Sequence, residues 1–170
     1  SIVTPIEFNE VRDAREKVIV ERLIDIRRAE TEYRNIKGDY TASFDTLINF
    51  IKNDKAKIVL KEGELTDKQL EEGMTEKKAV KLGLIKRDTT YVSMLENLFG
   101  TDYPVDSLRY IPFSSPRQEF TLEKAEITTG SAGIKVKVMA AKAPFESYLN
   151  DLDKQELINL IYTTEKLERY

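Results

Sequence analysis

From about Phe8 to Ile36 the chain runs without one Gly or Pro through residues that favour helix, and no other feature constrains its fold as strongly. Within this run Ile19, Leu23, Ile26, Ala29, Tyr33 and Ile36 recur at steps of four, three, three, four and three. Steps of that size draw a single apolar stripe along an α-helix. Lys37 and Gly38 close the run, and glycine suits the left-handed conformation that ends many helices. At about 1.5 Å per residue such a helix is on the order of 40 Å long, more than the width of a small core. The expected arrangement is therefore a helix over 1–37 with its second half seated and its first half protruding. In that first half Glu7, Glu10, Arg12, Asp13, Arg15, Glu16 and Lys17 surround only Phe8, Val11 and Val18. These three apolar residues are the expected partner contacts.

Beyond Gly38 the pattern becomes mixed. Ser43 is placed to cap a short helix bearing Phe44, Leu47, Ile48 and Ile51, and Lys57 to Lys61 reads as a strand closed by Glu62-Gly63. Glu64 to Leu84 is charged and interrupted by Gly73 and Gly83, and reads as a lid or mobile insertion with a helical turn at Asp67 to Glu72. Thr89 to Val92 is β-prone, and Ser93 to Phe99 reads as a helical turn ended by Gly100. Leu108 to Phe113, Glu119 to Thr128 and Ile134 to Ala141 form an expected antiparallel meander. Ile134, Val136, Val138 and Ala140 alternate as one buried sheet face requires, and that face is expected to receive the long helix. After Pro144 a short helical turn spans Phe145 to Leu149. Asp153 with Glu156 then opens a last helix reaching about Arg169, with Leu157, Ile158, Leu160, Ile161 and Leu167 turned inward. The expected fold is α+β and a single domain over 1–170: the long N-terminal helix on the meander, with a short second helix and a C-terminal helix.

Several chemistries are excluded by what the 170 residues lack. With no Cys, His or Trp there is no thiol nucleophile, no imidazole base and no zinc site of the usual ligands. The net charge of −3 is spread: the first 37 residues hold eight acids and eight bases, and no later segment is strongly basic. Nucleic-acid binding needs clustered Lys and Arg, so it is not expected. No run approaches the roughly 20 apolar residues of a membrane-spanning helix.

The remaining candidate sites have plainer readings. Gly130-Ser131-Ala132-Gly133 lies between two strands, without the helix and Lys that a phosphate-binding loop requires, and is a hairpin turn. Asn150-Asp151-Leu152-Asp153 with Glu156 offers oxygens to Ca²⁺ but lacks the glycine and spacing of an EF-hand. Asp102 and Asp106 are turn residues rather than an acid/base pair. Tyr40, Tyr91, Tyr103, Tyr110, Tyr148 and Tyr162 are expected at core margins. No cofactor, metal ligand or catalytic residue emerges.

One pattern carries a family resemblance: Ala29-x3-Tyr33-x4-Gly38-x-Tyr40, followed by Phe44 and Leu47. It resembles the helix-to-loop junction of type II secretion pseudopilins and type IV pilin-like proteins. The match covers about Arg28 to Phe50. The resemblance implies a pilin-like domain in which Ile19, Leu23, Ile26, Ala29, Tyr33, Gly38 and Tyr40 seat the helix. It also implies a non-enzymatic, extracytoplasmic cell-envelope protein, held by an N-terminal membrane anchor absent from this chain, that assembles with protein partners or with itself through the N-terminal helix. A soluble small-molecule or peptide binding module, with Glu64 to Leu84 as lid over a tyrosine-lined pocket, is the alternative expectation.

Overall fold

The computed structural model describes residues 4–168. The long helix, α1, spans Pro5–Lys37. Its start is fixed locally. The Thr4 hydroxyl accepts the Glu7 N–H at 3.2 Å while the Glu7 carboxylate accepts the Thr4 N–H at 3.3 Å, and Pro5 occupies the first turn, where its missing N–H costs nothing. At the other end Gly38, at φ 92°, returns its N–H to the Arg34 carbonyl at 2.8 Å. Next come α2 (Phe44–Asn53), β1 (Lys55–Glu62), α3 (Asp67–Glu71), α4 (Glu76–Lys81), β2 (Lys86–Ser93) and α5 (Met94–Leu98). The chain continues through a 3-10 turn at Val105–Ser107, β3 (Thr121–Thr129), β4 (Ile134–Lys142), α6 (Phe145–Leu149) and α7 (Lys154–Glu168). The class is α+β, as the sequence predicts.

The chain forms two compact units. The first joins the chain up to Phe50 with the chain from Pro104 onward; the second runs from Ile51 to Tyr103. The first unit's core takes Phe8, Ile19, Ile26 and Ala29 from α1, Phe44, Leu47, Ile48 and Phe50 from α2, and Leu108, Ile111, Phe120, Tyr148 and Leu149 from later segments. Phe8 is only 2% exposed, which overturns the expectation of a protruding first half. The buried stripe continues toward the helix start through charged positions. Arg15 grips Asp151 through two nitrogens, at 2.7 and 2.9 Å, and donates to the Tyr148 carbonyl at 2.7 Å. Glu16 accepts the Tyr148 hydroxyl at 3.1 Å. Arg side chains with apolar stems and polar heads seat this end of α1, and a search for apolar residues alone passes over them.

The expected meander is also revised. β3 and β4 pair antiparallel from Thr121↔Lys142 to Thr129↔Ile134, around the turn at Gly130–Gly133, as a two-stranded hairpin. Leu108 to Phe113 is no strand: it meets Gln118 to Phe120 through one bridge, Tyr110↔Glu119, and Phe113 turns to φ 66°. Nor is the alternating face of β4 buried. Ile134 is 60% exposed and Val136 38%, and only Val138 to Ala141, at the base of the hairpin, are half-buried. Alternation here records β-propensity rather than a covered sheet face. In α7 the Glu156 N–H is capped by Asp153 at 3.0 Å; Leu157, Leu160 and Ile161 are half-buried and Ile158 is exposed. The Leu167 side chain and Arg169 lie outside the described residues.

The second unit is a β1–β2 hairpin, paired from Lys55↔Ser93 to Glu62↔Lys86, whose long connection carries α3 and α4. Thr66 and Thr75 cap those helices. Ala79 is fully buried and Ile85 nearly so, so the stretch read as a lid contributes to this unit's own core. Gly63, at φ 95°, lies so near the Leu84 carbonyl that a Cβ would sit 2.6 Å from its oxygen.

Candidate functional site

The residues that resemble a pilin junction come together in the first unit, where α1 turns into α2. Tyr33 sets its ring edge-on to Phe50, with centroids 5.2 Å apart and planes at 84°, a favourable aromatic geometry. Gly38 reverses the chain. Arg34 then lies over the Tyr40 ring at 5.3 Å, and Ser43 caps α2 by accepting the Thr46 N–H at 3.2 Å. Of the residues expected to seat the helix, Ile19, Ile26 and Ala29 are buried, while Leu23, Tyr33 and Tyr40 are half-buried. Ile36, the last of the stripe, is exposed. Of the expected partner contacts, Val11 and Val18 are exposed and Phe8 is not.

Two lysines from the hairpin close on this junction. Lys137 of β4 donates to the Gly38 carbonyl at 2.6 Å, and Lys124 of β3 pairs with Asp39 at 3.2 Å. The other Asp39 oxygen accepts the Tyr40 N–H at 2.7 Å. Lys124 holds the Asp39 carboxyl below its ordinary range.

Beneath the turn lies a residue that the sequence reading misses. Glu30 has no exposed surface. One carboxyl oxygen accepts the Thr41 N–H at 3.0 Å, and the other is buried without a hydrogen-bond partner. Burial pushes this carboxyl up to about 7, against the opposing pull of the Thr41 N–H; the Asp39 charge adds to the rise and Lys124 lowers it. A signal was present in the sequence: Glu30 stands four residues after Ile26 and three before Tyr33, on the stripe itself.

Other chemistry is assigned elsewhere. Asp151 is held by Arg15 and Asp153 by its capping role, and among the described residues no group of three acids could hold a metal ion. Tyr148 is buried, Tyr103 stacks on Phe99 at 4.2 Å, Tyr110 lies under Arg117 at 3.4 Å, and Tyr91 and Tyr162 are exposed. These tyrosines are distributed over both units. An open cleft of about 520 Å³ in the second unit is lined by Glu76, Lys77, Val80, Lys81 and Arg87, without a tyrosine. In the first unit a groove of about 210 Å³ runs between α1 (Val20, Leu23, Ile24 and Arg27) and β4 (Met139 to Ala141). Among the described residues no helix is long and apolar enough to cross a membrane. Compared with family models, curated proteins and solved structures, the chain finds no match.

Proposed function

We propose that this chain is a non-enzymatic subunit that works by protein-protein assembly, the extracytoplasmic domain of a membrane-anchored, pilin- or pseudopilin-like envelope protein. The observation that carries the reading is the outward side of α1. Val20 is 50% exposed and Ile24 43%, one turn apart beside the shallow groove against β4. Exposed apolar residues gathered along a groove fit a macromolecular partner better than a small solute, whose sites are concave and enclosing. Glu30, the acid whose environment most favours proton chemistry, is sealed from solutes and so supports no catalytic role. The resemblance at Ala29, Tyr33, Gly38 and Tyr40 supplies the envelope assignment, and self-association along α1 is its natural mode.

The experiment uses the full-length protein, fractionated from cells and then examined by sedimentation. Membrane retention and a self-associated species are expected, with Val20→Glu/Ile24→Glu abolishing the association while leaving the melting temperature within a few degrees. A full-length protein that is monomeric at high concentration and absent from the membrane fraction would overturn the proposal.

A further inference from the structure

We propose that Glu30 is a proton-operated latch on the α1–α2 junction: neutral, it holds the Gly38-to-Thr41 turn against α1, and on losing its proton it releases that turn. The proposal stands first on geometry. The side chain is wholly buried, its contact with the turn is the Thr41 N–H at 3.0 Å, and its second oxygen has no donor. A neutral carboxyl bears such an orphan at modest cost. A carboxylate does not, because half of its charge then sits on an oxygen that neither water nor an N–H reaches. The simplest relief is to open the turn and hydrate that oxygen.

Charged groups around the junction decide where the switch lies. Asp39 on the turn repels the ionised form; Lys124 on β3 attracts it but is already committed to Asp39. Lys137 on β4 is bound to the Gly38 carbonyl, and Arg34, one turn along α1, lies over Tyr40. On α2, Asp45 is paired with Arg109 at 2.8 Å. Among the described residues none of these cations hydrogen-bonds the orphan oxygen. Burial dominates, and the carboxyl ionises near neutrality instead of in the usual acid range. The turn that moves is the one gripped by both hairpin lysines, so release at Glu30 also loosens the junction's hold on β3 and β4.

The test is a ¹H–¹⁵N NMR titration of the intact chain from roughly pH 5.5 to 8.5, with amide exchange followed at Thr41. The Thr41 amide is expected to titrate with a midpoint near 7, and its protection factor to fall about tenfold or more across that midpoint. Glu30→Gln should hold both readings flat. Asp39→Asn removes the neighbouring negative charge and frees Lys124, so it should move the midpoint down; this variant serves if the glutamine form does not fold. A Thr41 amide that stays flat in the native chain, a titration that persists in Glu30→Gln, or a midpoint unmoved in Asp39→Asn would each overturn the latch.

Discussion

A carboxyl that is easier to protonate in the folded chain than in the unfolded one makes the fold sensitive to pH in a direction opposite to most acids. Glu30 is raised from an ordinary value of 4.5 to about 7, so between those values the folded state holds the proton more often than the unfolded state does. Stability therefore falls as pH rises through this window, by on the order of 3 kcal/mol in all, and the loss is complete above 7. Urea unfolding at a series of pH values should show this decline in the native chain and a nearly level profile in Glu30→Gln. Tyr33 is the other residue whose truncation should be felt at this junction. It is half-buried against Phe50, so Tyr33→Ala should cost about 2 kcal/mol, less than for a fully enclosed ring, and Phe50→Ala, from a 2% exposed site, about 4 kcal/mol. Thermal or urea melts of the two variants would rank them.

Along α1 the buried residues reach from Phe8 to Glu30, and this changes what the first turns do. Phe8→Ala should destabilise the first unit by about 3 kcal/mol. Arg15→Lys, which exchanges a two-nitrogen grip on Asp151 for a point charge, should cost about 1 kcal/mol. Removing Ser1 to Lys17 should accordingly weaken the fold markedly, as measured by its melting temperature, because the deletion takes the Thr4–Glu7 cap, Phe8 and Arg15 together. The seated second half of α1 was legible in the spacing of Ile19, Ile26 and Ala29, since apolar residues at helical steps line up on the one side of a helix that a core can cover. The first half was not, because its anchors include Arg15 and Glu16, and a charged side chain reads as solvated until its partner, here 132 to 136 residues away, is known. Glu30 lies on the stripe itself and was passed over because a carboxylate reads as solvated. On β4 the error ran the other way: Ile134 and Val136 alternate as a covered face would, yet they stand in the open on a hairpin. The short caps at Ser43 and Asp153 were read correctly because their partners lie three residues away.

At the scale of the whole molecule the division into two units gives Gly63 a defined range of influence. Ala at this position meets the Leu84 carbonyl and cannot relax, since its φ of 95° is also strained for any side chain. Gly63→Ala should destabilise the second unit by at least about 2 kcal/mol, with exchange protection lost first at amides between Ile51 and Tyr103. Equal loss at Ile26 and Ala29 would show the units to unfold together. The order of the units along the chain has a further consequence, during synthesis. The second unit is continuous, so it has all its residues once Tyr103 has emerged from the ribosome. The first is split around it, and α1 must wait for Tyr148 and Asp151, the partners of Arg15 and Glu16, before its contacts are complete. At about 5 to 20 residues per second that wait lasts roughly ten seconds. Through it a helix bearing Phe8, Ile19 and Ile26 is open to chaperones, to a neighbouring nascent chain, or to whatever membrane lies close to the site of translation.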